Sequence, residues 1–259
     1  MKFYSTSCKG LSHSCNEDSF AATDNMAVVA DGMGGENAGE VASRLVVENL
    51  LLGLKNHDFA HMTEPEIFKC MSGMFVKCDS FIREYSMEHA ETAGMGTTAV
   101  VAQFIGPYMY VCWCGDSRCF VYNTDLKRIT FSTRDHSYVQ ELIDNGKIGV
   151  RESFAHPDNN MITRFVGGGD EYVVPECARH ECADGDIVIL CSDGLTGYCT
   201  NEEIMATITS AGDNPKEICD NLRQLAIRRG SEDDVTIMVG SPKSKSGWTE
   251  YFPFNLFKK

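Results

Sequence analysis

A chain of 259 residues that is 43% hydrophobic can bury a sizeable core as one large domain or two small ones, and no linker divides it. Its formal charge of -14 and pI near 4.9 argue against a broad nucleic-acid surface, which needs clustered Lys and Arg. The most apolar window, 100–114, is broken by Gly106-Pro107, whereas a membrane span needs about 18 uninterrupted apolar residues.

In chain order, residues 2–6 and 19–30 read as strands, with Asp24-Asn25 turning between two of them. In Val28 to Gly39 an apolar run ends in Asp31, and glycines at 32, 34, 35 and 39 then allow backbone turns that a Cβ would forbid. Ala42, Leu45, Val46 and Leu50 share one stripe of a helix over 39–56. Thr63 and Glu66 form a capping box for a second helix, whose Ile67, Met71, Met74, Cys78, Ile82 and Tyr85 recur at steps of four and three. Strands over 97–104, 108–114, 118–123 and 128–132 have turns short enough to favour antiparallel pairing. A shorter helix over 136–145 ends at Gly146. Residues 147–184 are irregular, with His156-Pro157 and three successive glycines, and predict a long loop of the kind that carries function. Strand 186–191, a helix opened by Thr200 and Glu203, a helix capped by Asn214 and strand 234–239 complete the domain.

The 12 cysteines include no Cys-x-x-Cys pair. With no export signal over residues 1–6, they read as buried, reduced thiols of a cytoplasmic protein. Cys112 and Cys114 lie on one strand face and read as core rather than as metal ligands.

Four stretches each set Asp or Glu beside an apolar, strand-like run: Asn16-Glu17-Asp18-Ser19, Ala30-Asp31-Gly32, Cys191-Ser192-Asp193-Gly194 and Asp233-Asp234-Val235. Two unit charges 4 Å apart repel by about 4 kcal/mol at an effective dielectric near 20, so such a cluster needs compensation. Divalent cations supply it, and all-oxygen ligands favour Mg²⁺ or Mn²⁺ over zinc. Two ions sharing one carboxylate acidify a common water and clamp a phosphate for in-line attack, so no Cys or Ser nucleophile is required.

Those stretches, together with Met33-Gly34-Gly35, Gly96-Thr97-Thr98, Gly115-Asp116-Ser117-Arg118, Asp135-His136-Ser137, Ile162-Thr163-Arg164 and Val235-Thr236, stand in the order seen in metal-dependent serine/threonine protein phosphatases of type 2C. From Met1 to Gly240 the chain resembles the compact bacterial branch of that family. The resemblance implies an α+β fold, a four-layer sandwich of two antiparallel β-sheets flanked by pairs of α-helices. It implies a catalytic domain over residues 1–240, with a flap at about 147–184 beside the substrate cleft. Carried over by motif, Asp31 bridges two metals, Asp193 and Asp233 complete one site, and the Gly32 carbonyl binds the other. Glu17 and Asp18 act through or upon metal-bound waters, with Asp18 and Asp31 as the catalytic carboxylates. Asp116, with Asp193, matches a weaker third site. The implied cofactors are Mn²⁺ or Mg²⁺, two ions per site and a weak third. The implied reaction is hydrolysis of phosphoserine and phosphothreonine by attack of a metal-bridging water or hydroxide. Phosphorylated proteins and a cognate serine/threonine kinase are the implied partners.

Four positions depart from the family pattern. His13 stands where the family has a phosphate-binding Arg, Asp234 where it has Asn, Gly197 replaces an acidic residue, and Asn159 replaces a flap Arg. His13 is expected at the substrate phosphate, although a His near pKa 6.5 is only partly charged at neutral pH. Lys9 and Arg151 are the alternative phosphate contacts. A catalytically weak scaffold that binds phosphoproteins is the competing function. A two-metal nuclease or phosphodiesterase is disfavoured by the acidic balance, and a P-loop NTPase is excluded because Gly-Lys-Ser/Thr does not follow Met33-Gly34-Gly35. Residues 241–259 form a different segment, with Lys243, Lys245, Lys258 and Lys259 against Glu250, and Trp248, Tyr251, Phe252, Phe254 and Phe257. So aromatic a tail is expected to pack against the protein's own surface first, or against a partner or second copy, rather than on a membrane.

Overall fold

The computed structural model describes residues 1–168, 172–183 and 185–241, without the side chains of residues 35–37. The basic aromatic tail lies outside the described residues from position 242 onward. The chain runs β1 (Lys2–Cys8), β2 (Asp18–Ala22), β3 (Met26–Met33), α1 (Gly35–Lys55), α2 (Glu64–Glu88), β4 (Gly96–Thr97), β5 (Ala99–Ile105), β6 (Tyr108–Cys114), β7 (Arg118–Asn123) and β8 (Arg128–Ser132). It continues through α3 (Tyr138–Asp144), α4 (Val150–Ser153), β9 (Val166–Gly167), β10 (Glu176–Glu181), β11 (Asp186–Cys191), α5 (Asp193–Thr196), α6 (Asn201–Ala211), α7 (Pro215–Arg228) and β12 (Val235–Ser241).

Among the described residues every strand pairing is antiparallel. One sheet has the order β1-β12-β11-β7-β8, and the other β10-β6-β5-β3-β4-β9 with β2 also paired to β3. The period-two alternation of strands sorts their side chains into layers. Val28 and Ala30 of β3 and Ala99 and Val101 of β5 join α1 and α2 in one core. Ala27, Val29, Val100 and Ala102, their alternates, face Val188 and Leu190 of β11 and Met238 of β12 between the sheets. Ile187, Ile189, Val235, Ile237 and Val239 turn outward to meet α6 and α7. The result is the four-layer α+β sandwich that the motifs imply.

The helix caps fall where the sequence places them. Thr63 and Glu66 close a capping box on α2, Thr200 and Glu203 another on α6, and the Asn214 side chain accepts from Lys216 and Glu217 N–H at the start of α7. Each such cap is worth about 1 kcal/mol.

Three expectations change. First, β3 does not stop at Asp31 but continues to Met33, because Gly32 and Met33 pair with Thr97 and Gly96 of β4. Helix α1 then begins at Gly35, four residues before the expected start. Second, the 147–184 stretch is a loop only in part, since residues 176–181 form strand β10 along β6. Its sequence, Glu-Cys-Ala-Arg-His-Glu, has little apolar alternation because this edge strand is partly exposed. Third, Cys112 and Cys177 face each other in that pairing and are joined as a disulfide rather than kept as free thiols. Cys8, Cys15, Cys70 and Cys182 are free but only half-buried.

Candidate metal centre

The β2–β3 hairpin makes Asp18 and Asp31 direct cross-strand partners, so two carboxylates occupy adjacent positions on one sheet. The main chain of Asp31 is pinned. Its N–H donates to Thr98 Oγ1 at 3.0 Å, and its carbonyl accepts from Thr98 N–H at 2.8 Å and from Thr97 Oγ1 at 2.7 Å. Gly32 beside it is sterically required, because a Cβ would sit 2.1 Å from the Gly39 carbonyl oxygen. The second sheet brings Asp193 at the start of α5, just after β11, and Asp233 just before β12. Asp116 arrives from the turn between β6 and β7.

Electrostatics tie the five into one cluster. Burial holds the Asp31 carboxyl well above its ordinary range, and the charges of Asp18, Asp193, Asp233 and Asp116 push the same way. Asp18 is pushed up to about 8, first by burial, against hydrogen bonds from Thr236 and Ser192 that oppose the rise. Asp193 rises to about 6 through burial and the neighbouring Asp233 charge. Burial also raises Asp233 and, more strongly, Asp116. Two carboxylate oxygens, Asp18 Oδ1 and Asp193 Oδ1, are buried with no hydrogen-bond partner. Orphaned acceptors of this kind are costly unless something electropositive meets them. An all-oxygen set on fixed backbone, with repelling charges and unmatched lone pairs, fits divalent hard cations.

Glu17 sits at the edge of this cluster, with Glu40 and Cys15 close by, and burial raises its carboxyl. Its carbonyl accepts from Gly32 N–H and from Ser43 Oγ. His13 lies against the Asp233-Asp234 corner: Nδ1 is 3.0 Å from Asp234 Oδ2 and Nε2 is 3.6 Å from Asp233 Oδ1. The Asp234 hydrogen bond raises the His13 pKa above its ordinary value. Lys9, one alternative phosphate contact, turns its ammonium to the carbonyls of Gly10 and His13. Arg151, the other, lies on α4 in the rim of a cleft of about 850 Å³ whose floor includes Asp116, Asp193 and Asp233. The flap thus borders the acidic cluster.

Sequence reasoning passed over several supporting residues. Ser192 Oγ donates to Asp18 Oδ2 at 2.8 Å and accepts from Thr236 N–H at 2.9 Å, which couples β2 of one sheet to β12 of the other. Thr98 and Ser117 share a 2.7 Å hydrogen bond behind Asp31. Ser192, Thr98 and Ser117 all stand inside the quoted motifs, and for Ser192 and Ser117 the adjoining Asp was the available sign. Glu40, whose Oε2 is buried without a partner, has no such mark in the sequence.

Two helix-flanked antiparallel sheets with a buried carboxylate cluster make a domain suited to hold divalent cations, and comparison with known proteins gives its family. A family model described as protein phosphatase 2C matches residues 11–216. The serine/threonine protein phosphatase PstP of Mycobacterium tuberculosis is 32% identical over 247 residues, covering 92% of this chain and 44% of that protein. The serine/threonine phosphatase stp of Listeria innocua is 32% identical over 234 residues, covering 86% of this chain and 89% of its own length. A crystal structure of the Mycobacterium tuberculosis phosphatase PstP/Ppp superposes with a TM-score of 0.82 at 32% identity, covering 92% of this chain and 97% of that one. A structure of the PstP catalytic domain in complex with two manganese ions gives 0.79 at 30% identity, covering 92% and 96%. The chain belongs to the protein phosphatase 2C family of metal-dependent serine/threonine protein phosphatases. It spans less than half the length of the mycobacterial relatives. Among the described residues no helix is long and apolar enough to cross a membrane.

Proposed function

We propose that this chain hydrolyses phosphoserine and phosphothreonine in protein substrates, using two Mn²⁺ or Mg²⁺ ions and a weaker third. Asp31, Asp193, Asp233 and the Gly32 carbonyl hold the pair, Asp116 with Asp193 serves the third, and Glu17 and Asp18 act on the water of that centre. The observation that carries the reading is the cross-strand Asp18–Asp31 pair, set among three further carboxylates with Asp18 Oδ1 and Asp193 Oδ1 unmatched. When bound, the cations neutralise that charge, polarise phosphoryl oxygens and lower the pKa of water. The two manganese ions of the PstP catalytic domain support the same metal and number here.

The chain's own contribution is positional. Asp31 is immobilised by Thr97 and Thr98, and Asp18 is oriented by Ser192, so the acceptor atoms stay in place while the substrate phosphate changes geometry. His13, at the edge beside Asp233, contacts the substrate phosphate, and the cleft under α4 receives the surrounding peptide. A cognate serine/threonine kinase supplies the phosphoprotein, and the protein acts in the cytoplasm. Residues 1–240 are taken as the catalytic domain, with the remainder as a separate tail. No observation favours the catalytically weak scaffold.

The test is release of phosphate from a phosphothreonine peptide with and without Mn²⁺, beside a phosphodiester such as bis(p-nitrophenyl) phosphate. Mn²⁺-dependent turnover of the peptide, with the diester much slower, is expected. Preference for the diester would replace this reading with a phosphodiesterase.

A further inference from the structure

Two of the four departures, His13 and Asp234, are in contact. Asp234 is 2% exposed in its side chain, and three N–H donors converge on its two oxygens. Oδ1 accepts from Gly10 N–H at 2.7 Å, while Oδ2 accepts from Glu17 N–H at 2.7 Å and from His13 Nδ1 at 3.0 Å. The loop that carries His13 is thereby held at both ends, by Gly10 before the His and by Glu17 after it. Gly10 also presses flat on the facing chain, where a Cβ would lie 2.3 Å from the Glu232 carbonyl oxygen. Ser12 adds hydrogen bonds to that carbonyl from N–H at 3.1 Å and from Oγ at 2.7 Å. With Nδ1 engaged by Asp234, Nε2 is the nitrogen turned toward Asp233.

An amide at position 234 cannot reproduce this. Asn has one acceptor oxygen, and its NH₂ only donates. Its NH₂ would face either Gly10 N–H or the Glu17 and His13 donors, so the loop would be released at one end in either orientation. Only a carboxylate at 234 fixes His13 Nδ1 while it also holds both ends of the loop, whereas an Arg at position 13, which brings its own fixed donor fork and permanent charge, needs no such partner.

We propose that Asp234 is a positioning residue for His13, and that His13 and Asp234 form one phosphate-recognition unit standing in for the Arg and Asn of the family pattern. The proposal rests on the reading of His13 as the phosphate contact. Carboxylates that orient a metal-ligating histidine typically change metal affinity or activity by about 10- to 100-fold when removed, and the low end of that range is carried over to a histidine that binds phosphate.

A double-mutant cycle tests it, with KM and kcat for a phosphothreonine peptide measured at saturating Mn²⁺. His13→Ala and Asp234→Asn are each expected to raise KM about ten-fold, with a smaller change in kcat. The His13→Ala, Asp234→Asn double variant should be no worse than His13→Ala alone. His13→Arg combined with Asp234→Asn should restore KM to the wild-type value or below. Multiplying effects in the double variant, or an equal penalty from Asp234→Asn in the His13→Arg background, would show that Asp234 only braces the loop backbone and would overturn the proposal. An unchanged KM in both His13→Ala and His13→Arg would remove the phosphate contact itself, and the proposal with it. Should Asp234→Asn fail to fold, or the wild type fail to hydrolyse the peptide, the nitrogen-15 spectrum of the His13 ring decides. A hydrogen-bonded proton on Nδ1 supports the pairing, and an unprotonated Nδ1 overturns it.

Discussion

The acidic floor and the rim around it are built on different principles. Asp18, Asp31, Asp193 and Asp233 stand on or next to strands β2, β3, β11 and β12, whose backbone bonds and buried neighbours leave the carboxylates little freedom. The rim consists of the loop between β1 and β2, which carries His13, and the segment between α3 and β10, which carries α4 and Arg151. Loops carry variable recognition on a rigid scaffold. Of the four motif departures, Gly197 caps the short helix α5 that starts at Asp193, and the other three follow this division. Every carboxylate of the floor is retained, while His13 and Asn159 lie in the rim, and Asp234 changes at the join between the two.

If the floor carries the chemistry, the largest effects come from breaking it. Asp31→Asn, Asp193→Asn and Asp233→Asn should each lower kcat by orders of magnitude while circular dichroism reports a folded chain, and chelator should stop the wild type. Full activity in chelator would contradict a metal-dependent floor.

A second break concerns pH. The native state of the metal-free protein holds protons on carboxyls that the unfolded chain has already released, since Asp18 titrates near 8 and Asp193 near 6 against an ordinary value of 3.8. These raised acids contribute stability below about pH 4 that is lost progressively as pH climbs to about 8. In chelator, therefore, the melting temperature should fall by several degrees from pH 5 to pH 8. Saturating Mn²⁺ should flatten that slope, because the cation takes the place of the protons. A melting temperature in chelator that rises over this range would show that the carboxylates do not repel one another as their placement requires.

The rim should respond more gently. His13→Arg is expected to lower KM for a phosphothreonine peptide several-fold and to change kcat less, the mark of binding that is uniform between ground and transition states. An unchanged KM, with a large rise in Arg151→Ala, would move the phosphate contact from the β1–β2 loop to the flap.

The same division explains what could be read from the sequence. The short apolar runs of β3, β5 and β11 and the capping residues of α2, α6 and α7 are local, so these elements and the floor carboxylates beside them were visible. Contacts made across the fold were not. The glycines after Asp31 suggested a turn, yet pairing with β4, more than 60 residues away, keeps Gly32 and Met33 in a strand. Strand β10 takes its conformation from β6, and with it the Cys112–Cys177 pairing was hidden. Asp234 looked like a lone exchange in a motif. Only folding brings it to His13 across more than 200 residues.

The most direct measurement is a calorimetric titration of the chelator-treated chain with Mn²⁺, for the wild type and for Asp31→Asn. Two tight equivalents per wild-type chain, with a weaker third, are expected, and the Asp31→Asn variant should lose the tight pair because it removes the shared ligand. A wild-type chain that binds no Mn²⁺, or an Asp31→Asn variant that binds it unchanged, would contradict the account.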